Sequence, residues 1–304
     1  MQRPITLVLA AVVAVGGACG RADHAALSGP QFAHVQDLDG TPDLIVDAKR
    51  IATSWVVYEQ ELKESFCSLQ EGGTTPGFHR VLRLTVTTPN IGDADIFIGD
   101  PITHWDPNRD GDSRDSDGLY ELSTCHHHFH FRNYATYELL SADRSRTWLS
   151  AKHGFCMIDV TPWNSNDGGV SSWVYRSCGR PAFEGFAAIP GNQGISVGYA
   201  DTYTKWLGGQ YFVLDGGNGQ PVVPPGDYII RVHVNPPFAC GTGDAGKPRD
   251  PQGLCHNFLE SRYDNNVAEV AITIPAHAGK KGYGPGGGQD PVDEIADDEN
   301  RPDK

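Results

Sequence analysis

The chain has 304 residues, seven cysteines, twelve histidines and a formal charge of −14. Its 39% hydrophobic content is enough for a packed core and excludes wholesale disorder, while the acidic balance excludes a general nucleic-acid binder, which needs clustered Lys and Arg. Thirty-six glycines and twenty-one prolines point to a turn-rich, mostly β architecture rather than a helical bundle.

In chain order, Arg3 precedes a small and apolar run, Ile5 to Val15, and then Gly16-Gly17-Ala18-Cys19. That run suits a signal peptide and is too short to span a bilayer. Small residues before Cys19 resemble a bacterial lipoprotein signal, with Cys19 as the lipid attachment point. The departure is Gly16, where a larger aliphatic residue is expected, and ordinary secretion is the alternative. Residues 1–19 are therefore read as a signal, 20–40 as a linker, and the protein as exported: a cell-surface or periplasmic lipoprotein, otherwise secreted.

Residues 41–275 read as a single mostly β, sandwich-like domain with long loops and short helices. Ile51 to Leu62 fits either a strand or a short helix. Val81, Leu82, Leu84 and Val86 form an apolar run closed by Pro89-Asn90. Tyr228, Ile230, Val232 and Val234 alternate with Ile229, Arg231 and His233 after a Pro-Pro-Gly-Asp turn, and Val267, Val270, Ile272 and Ile274 suggest a last strand. Residues 276–304 are rich in Gly, Pro, Asp and Glu and read as a disordered acidic tail, which holds part of the net charge.

The strongest chemical signal is Cys125-His126-His127-His128-Phe129-His130. On an extended chain His126, His128 and His130 project to one side, with His127 and Phe129 on the other. Three neutral imidazole nitrogens suit Cu(II) or Zn(II), and copper binds more tightly by the Irving–Williams order.

This segment, followed by aromatics and Tyr137-Glu138-Leu139-Leu140, resembles the copper-binding segment of the lysyl oxidase family. Further motifs follow in the family's order: Pro42-Asp43-Leu44, Lys152-His153-Gly154-Phe155-Cys156, and Gln193-Gly194-Ile195-Ser196 leading into Asp201-Thr202-Tyr203. Then come Gln210-Tyr211, Pro225-Gly226-Asp227-Tyr228, Val234-Asn235-Pro236 and Tyr263-Asp264-Asn265-Asn266. The resemblance implies copper on His126, His128 and His130, and a lysine tyrosylquinone cofactor formed by cross-linking Lys152 to Tyr203. Neither Lys152 nor Tyr203 stands out by pattern alone. The implied activity oxidises a primary amine, free or on a protein lysine, to an aldehyde with O2, releasing ammonia and H2O2. The animal enzymes carry a further histidine after the copper motif; here Asn133-Tyr134-Ala135-Thr136-Tyr137 has none. His153 is a candidate substitute base, and the role stays unassigned.

The family also carries a structural calcium site, which maps to Asp43, the Leu44 carbonyl, Glu260, Asn265 and Asn266. Arg262 replaces one acidic ligand, and Asp264 is the candidate compensator. Spacing alone suggests a second calcium loop at Asp106, Asn108, Asp110 and Asp117, an EF-hand pattern ending in Asp with no flanking helix apparent. Setting Cys19 aside leaves six cysteines, enough for three bridges. Cys240 and Cys255 enclose a Gly/Pro-rich loop and are read as a pair, and the family pattern joins Cys125 to Cys178, leaving Cys67 and Cys156. Two rival readings stand beside the oxidase. A non-catalytic copper- or calcium-binding cell-surface module needs neither Lys152 nor Tyr203. A zinc hydrolase on the same histidines needs a nearby carboxylate base.

Overall fold

The computed structural model describes residues 40–163, 174–183 and 185–295. The signal, most of the linker and Cys19 lie outside the described residues. The elements run α1 (Ala48–Ser54), β1 (Val56–Leu62), α2 (Cys67–Gln70), β2 (Gly77–Arg83), β3 (Val86–Pro89) and β4 (Ile96–Gly99). Next come α3 (Ile102–Trp105), β5 (Tyr120–Ser123), β6 (His128–Arg132), β7 (Ala135–Ser141), β8 (Thr147–Leu149) and β9 (Gly154–Phe155). The chain continues with β10 (Thr161–Pro162), β11 (Gln193–Ile195), β12 (Tyr199–Tyr203), β13 (Tyr211–Val213), β14 (Gly226–Val234) and β15 (Val267–Ile274). No helix among the described residues is long and apolar enough to cross a membrane.

The strands form small antiparallel sheets ordered β15-β14-β7-β8, β1-β2-β13, β10-β12-β3, β5-β6-β9 and β11-β4. Alternation works as expected on β14, where Tyr228, Ile230, Val232 and Val234 are buried. These side chains join Leu139, Val57, Leu82, Val86, Tyr203 and Phe212 in one apolar cluster, so several sheets share a core.

Two sequence runs change structure midway. The ambiguous stretch from Ile51 is both things: helix to Ser54, then strand from Val56. Asp47 caps the helix by accepting from the Arg50 N–H at 3.0 Å. The apolar run 81–86 divides between β2, which pairs with β1 and β13, and β3, which pairs with β12. Thr85 turns the chain from one sheet to the next, and its N–H donates to Ser54 Oγ.

Two expectations need correcting. The domain continues past residue 275, since Tyr283 bridges to Val57, Gly286 N–H donates to the Trp55 carbonyl, and Ile295 bridges to Leu207. Only residues 296–304 of the expected tail lie outside the described residues. Composition misled here because this segment binds largely through backbone and polar groups, with only a few apolar contacts from Ala278, Tyr283 and Ile295. The disulfides are Cys67–Cys125, Cys156–Cys178 and Cys240–Cys255, so the Cys125–Cys178 pairing is replaced. Gln193 explains one half of the exchange: it accepts from Met157 N–H and donates to the Cys178 carbonyl, drawing Cys156 and Cys178 together.

Cys67–Cys125 spans 58 residues and ties α2 to the histidine turn. On loop-closure entropy, replacing both cysteines with Ala should lower unfolding free energy by about 4 kcal/mol. Urea denaturation of the double variant against the parent measures this.

Candidate metal centre

β6 carries His128 and His130 in alternation, with Phe129 on the opposite, fully buried side. His126 reaches the same space differently from the expectation. It sits in the turn before the strand, and His127 takes a left-handed φ of 57° that breaks the extended run. His127 is thereby turned out to stack on Phe183 at 4.7 Å. The three imidazoles converge even so. Their ligand nitrogens lie within 4.8 Å of one another, and the residues are 8%, 6% and 1% exposed.

That donor set, three buried imidazoles without a carboxylate, fits Cu(II) or Zn(II) and not the oxygen-seeking Ca(II) or Mg(II). Carboxylates stand behind the rings. Glu71 Oε1 lies 3.3 Å from His126 Nδ1, and Glu121 Oε1 lies 4.0 Å from His130 Nδ1. Such partners fix which ring nitrogen faces a metal. Ser123 Oγ donates to Glu71 and accepts from the His126 N–H. Burial raises the Glu71 pKa, but hydrogen bonds from His126 and Ser123 and the charges of His126 and Lys152 bring it below its ordinary value.

Gly154 backs His130. A β-carbon there would fall 2.2 Å from His130 Nδ1, so any side chain would force the ring to move. β9 is paired to β6 through Phe131–Phe155 and Arg132–Gly154, which holds that contact in register.

Lys152 and Tyr203 come together next to this cluster. Lys152 Nζ lies 4.9 Å from the Tyr203 ring centroid and 5.5 Å from that of Phe155. Both residues are buried. The Tyr203 hydroxyl donates to the Cys156 carbonyl at 2.8 Å, and its ring packs edge-on to Phe155 at 5.3 Å. β12 supplies Tyr203 in register with β3. His153, by contrast, is exposed, with its ring on the Ala151 carbonyl at 3.1 Å, so nothing places it as a base.

Most of the first calcium set also assembles, but around hydrogen bonds. Glu260 Oε1 accepts from Asn235 and Asn266, and its Oε2 accepts from the Leu44 N–H at 2.6 Å. Asn265 donates to Asp43 at 2.8 Å. Leu44 thus offers its N–H to this knot. Asp264 pairs with Arg262 at 3.2 Å, and its side chain is 84% exposed. In the second calcium loop, Asp106 accepts from the N–H groups of Asp110 and Gly111, and Asn108 also accepts from Asp110. Asp117 turns instead to His104 at 2.7 Å and to the Leu119 N–H. Among the described residues only the histidine triad gathers three ionisable ligand atoms so closely. A single turn of helix, α3, does precede that loop.

Sequence reading missed Glu71, Glu121 and the backing glycines. Glu71 lies 55 positions before His126 in the chain and reaches it through the Cys67–Cys125 bridge. Gly154 was legible in principle, being the glycine inside the Lys-His-Gly-Phe-Cys motif.

The family described as lysyl oxidase matches residues 42–246. Protein-lysine 6-oxidase of Rattus norvegicus is 24% identical over 250 residues, covering 78% of this chain and 47% of that protein. The Sus scrofa protein of the same name is 24% identical, with 78% of each chain covered. Lysyl oxidase homolog 4 of Homo sapiens is 25% identical over 232 residues, covering 73% of this chain and 26% of its own length. The chain thus spans about half the length of the rat protein.

Two outcomes follow from this geometry. Gly154→Ala should keep the fold while displacing the His130 ring and weakening copper binding about tenfold, read by competition with a chelator. Burial pushes the Glu260 carboxyl up to about 7, against the N–H donors that lower it. Its folded value exceeds its unfolded one, so its stabilising contribution is complete below the unfolded value and is lost as pH rises through about 7. The loss is on the order of 3 kcal/mol. Urea unfolding between pH 5 and 8 in chelator should show it, and Glu260→Gln should flatten that part of the profile.

Proposed function

The chain belongs to the lysyl oxidase family, and from that premise we propose that it is an exported copper-dependent amine oxidase. Its cofactor is lysine tyrosylquinone, formed from Lys152 and Tyr203, and copper is held by His126, His128 and His130. The reaction takes a primary amine, O2 and water to an aldehyde, ammonia and H2O2. A lysine side chain on a protein partner and a free amine are both accommodated by this chemistry.

The observation that carries the reading is the Lys152 amine stacked over the Tyr203 ring at 4.9 Å, beside a buried three-imidazole cluster. Both side chains are buried, and this cation–π approach sets the amine against the ring to which the proposal joins it. Copper at the triad would supply the redox chemistry that makes the quinone from the tyrosine ring and O2. The chain does the positioning. The Cys156 carbonyl accepts from the Tyr203 hydroxyl and fixes the ring's rotation. Phe155 packs edge-on to that ring and lies under Lys152 Nζ, which would hold the two groups together for the cross-link. Glu71 serves as the partner of His126 and lies within electrostatic reach of Lys152, which ties the metal and amine halves of the site together.

The non-catalytic module is the weaker reading because it leaves the Lys152–Tyr203 approach without a purpose. A zinc hydrolase is weaker still. Its required base would have to be Glu71 or Glu121, and both carboxylates lie beside outer ring nitrogens of the triad. Structural calcium at Asp43, Leu44, Glu260, Asn265 and Asn266 and a lipid anchor at Cys19 belong to the same proposal.

Peptide mass analysis of copper-loaded protein treated with phenylhydrazine tests the oxidase. A Lys152–Tyr203 cross-linked peptide carrying the hydrazine adduct is expected, and His128→Ala should abolish it. Separate, unmodified Lys152 and Tyr203 peptides under full copper loading would sink the proposal.

A further inference from the structure

The end of the described chain carries a carboxylate into the middle of this site. Residues 289–295 lie as a strap across β1 and the 204–210 turn. Tyr58 Oη donates to the Gln289 carbonyl, Gln60 Nε2 donates to the Val292 carbonyl, and Lys63 pairs with Asp293 at 2.6 Å. The Ile295 N–H donates to the Trp206 carbonyl at 2.8 Å. Between these anchors Glu294 points inward. Its Oε1 accepts from the Gly209 N–H at 3.1 Å and its Oε2 from the Ser68 N–H at 3.2 Å.

Glu294 also answers a buried positive charge. Arg83 is fully buried, donating through Nε to Gln60 and through Nη1 to the Lys205 carbonyl, with the Tyr211 ring 4.9 Å from its Cζ. Its Nη2 has no hydrogen-bond partner among the described residues. Burial lowers the Arg83 pKa, and among the described residues that oppose this Glu294 is foremost and the only carboxylate. A buried guanidinium needs such a counter-charge.

What the carboxylate holds is the Gly208-Gly209 turn, and that turn is wedged between the two halves of the site. A methyl group on Gly208 would lie 3.1 Å from His126 Nε2 and 3.5 Å from Glu294 Oε1. One on Gly209 would lie 3.0 Å from the Ala151 carbonyl oxygen and 3.2 Å from the Lys152 Cα. Gly209 also has a φ of +70°, which a side chain would strain. Ser68, the other anchor of Glu294, adjoins Cys67, whose bridge leads to Cys125 and so to His126.

We propose that Glu294 is a positioning residue of the metal site, fixing the Gly208-Gly209 turn between His126 and Lys152 through the N–H groups of Ser68 and Gly209. The role rests on the oxidase reading only for its purpose. Its geometric content, that copper geometry depends on a carboxylate from the chain's acidic end, stands apart from turnover.

Full-length Glu294→Ala and Glu294→Asp chains, prepared metal-free, test the assignment. Two readouts need no activity: amide hydrogen exchange at Gly209, and the affinity and electron paramagnetic resonance spectrum of added Cu(II). Glu294→Ala should speed Gly209 exchange, weaken copper binding about tenfold and shift the copper spectrum, and Glu294→Asp should recover part of each. A folded Glu294→Ala chain with the parent's exchange, affinity and spectrum overturns the proposal. Should that variant not fold, the near-isosteric Glu294→Gln takes its place, because its amide sets an N–H against one of the two donors and removes the charge. The same losses then support the proposal, and parental values overturn it. A parent chain that binds copper but never forms a quinone would sink the oxidase reading while leaving this comparison intact.

Discussion

Polar and charged side chains are buried here in a domain that is otherwise apolar, and each must be met by a partner placed in advance. Three imidazoles, a lysine amine and a guanidinium are all buried. An isolated buried charge is costly enough that an unpaired one would unfold a domain of ordinary stability. The fold answers with carboxylates from distant parts of the chain: Glu71 to His126, Glu121 to His130 and, in our reading, Glu294 to Arg83. It answers also with close backbone contacts, made wherever a glycine lets two chains approach. Gly154 against His130 and Gly208 against His126 are the clearest cases.

This constraint explains why the site is built from many short sheets instead of two broad ones. A broad sheet would align the histidines on one face and leave their outer nitrogens facing the core. Instead β6 is short, paired on one side with β5 and only briefly on the other with β9. That arrangement lets the Cys67–Cys125 bridge bring Glu71 in beside the first histidine. The left-handed turn at His127 belongs to the same solution, since it swings His126 into the cluster without a second strand.

Local pattern was the legible part of the chain. The alternation on β14 is visible because its inner face meets a core and its outer face does not, and the same periodicity correctly grouped His128 with His130. The resemblance of Lys152 and Tyr203 to a cofactor-forming pair came from ordered motifs, and no physical pattern in either residue's surroundings would have found it. Long-range partners were illegible. Glu71 lies 55 positions from the histidine it supports, and nothing near it in sequence distinguishes it from any exposed acid. Asp106, Asp110 and Asp117 fit a calcium loop by spacing, but spacing says nothing of direction, and here the carboxylates face neighbouring N–H groups and, at Asp117, His104.

The C-terminal segment shows why composition is a poor guide to order. A run rich in Gly, Pro and acid has little to bury, so hydrophobic burial alone predicts that it stays loose. Burial is one of two routes to a fixed chain. The other is to complete hydrogen bonds and charges that the rest of the domain leaves open, and an unmet buried donor costs more than a met one gains. The N–H groups of Ser68 and Gly209 are such open groups, and Glu294 closes them, while its charge opposes the burial of Arg83. Glycine suits this role, because its backbone lies close against Tyr58 and Trp55 at Gly282 and Gly284, where no β-carbon fits. An acidic, glycine-rich end is thus the composition expected of a segment whose task is to supply one carboxylate and press its backbone against aromatic walls.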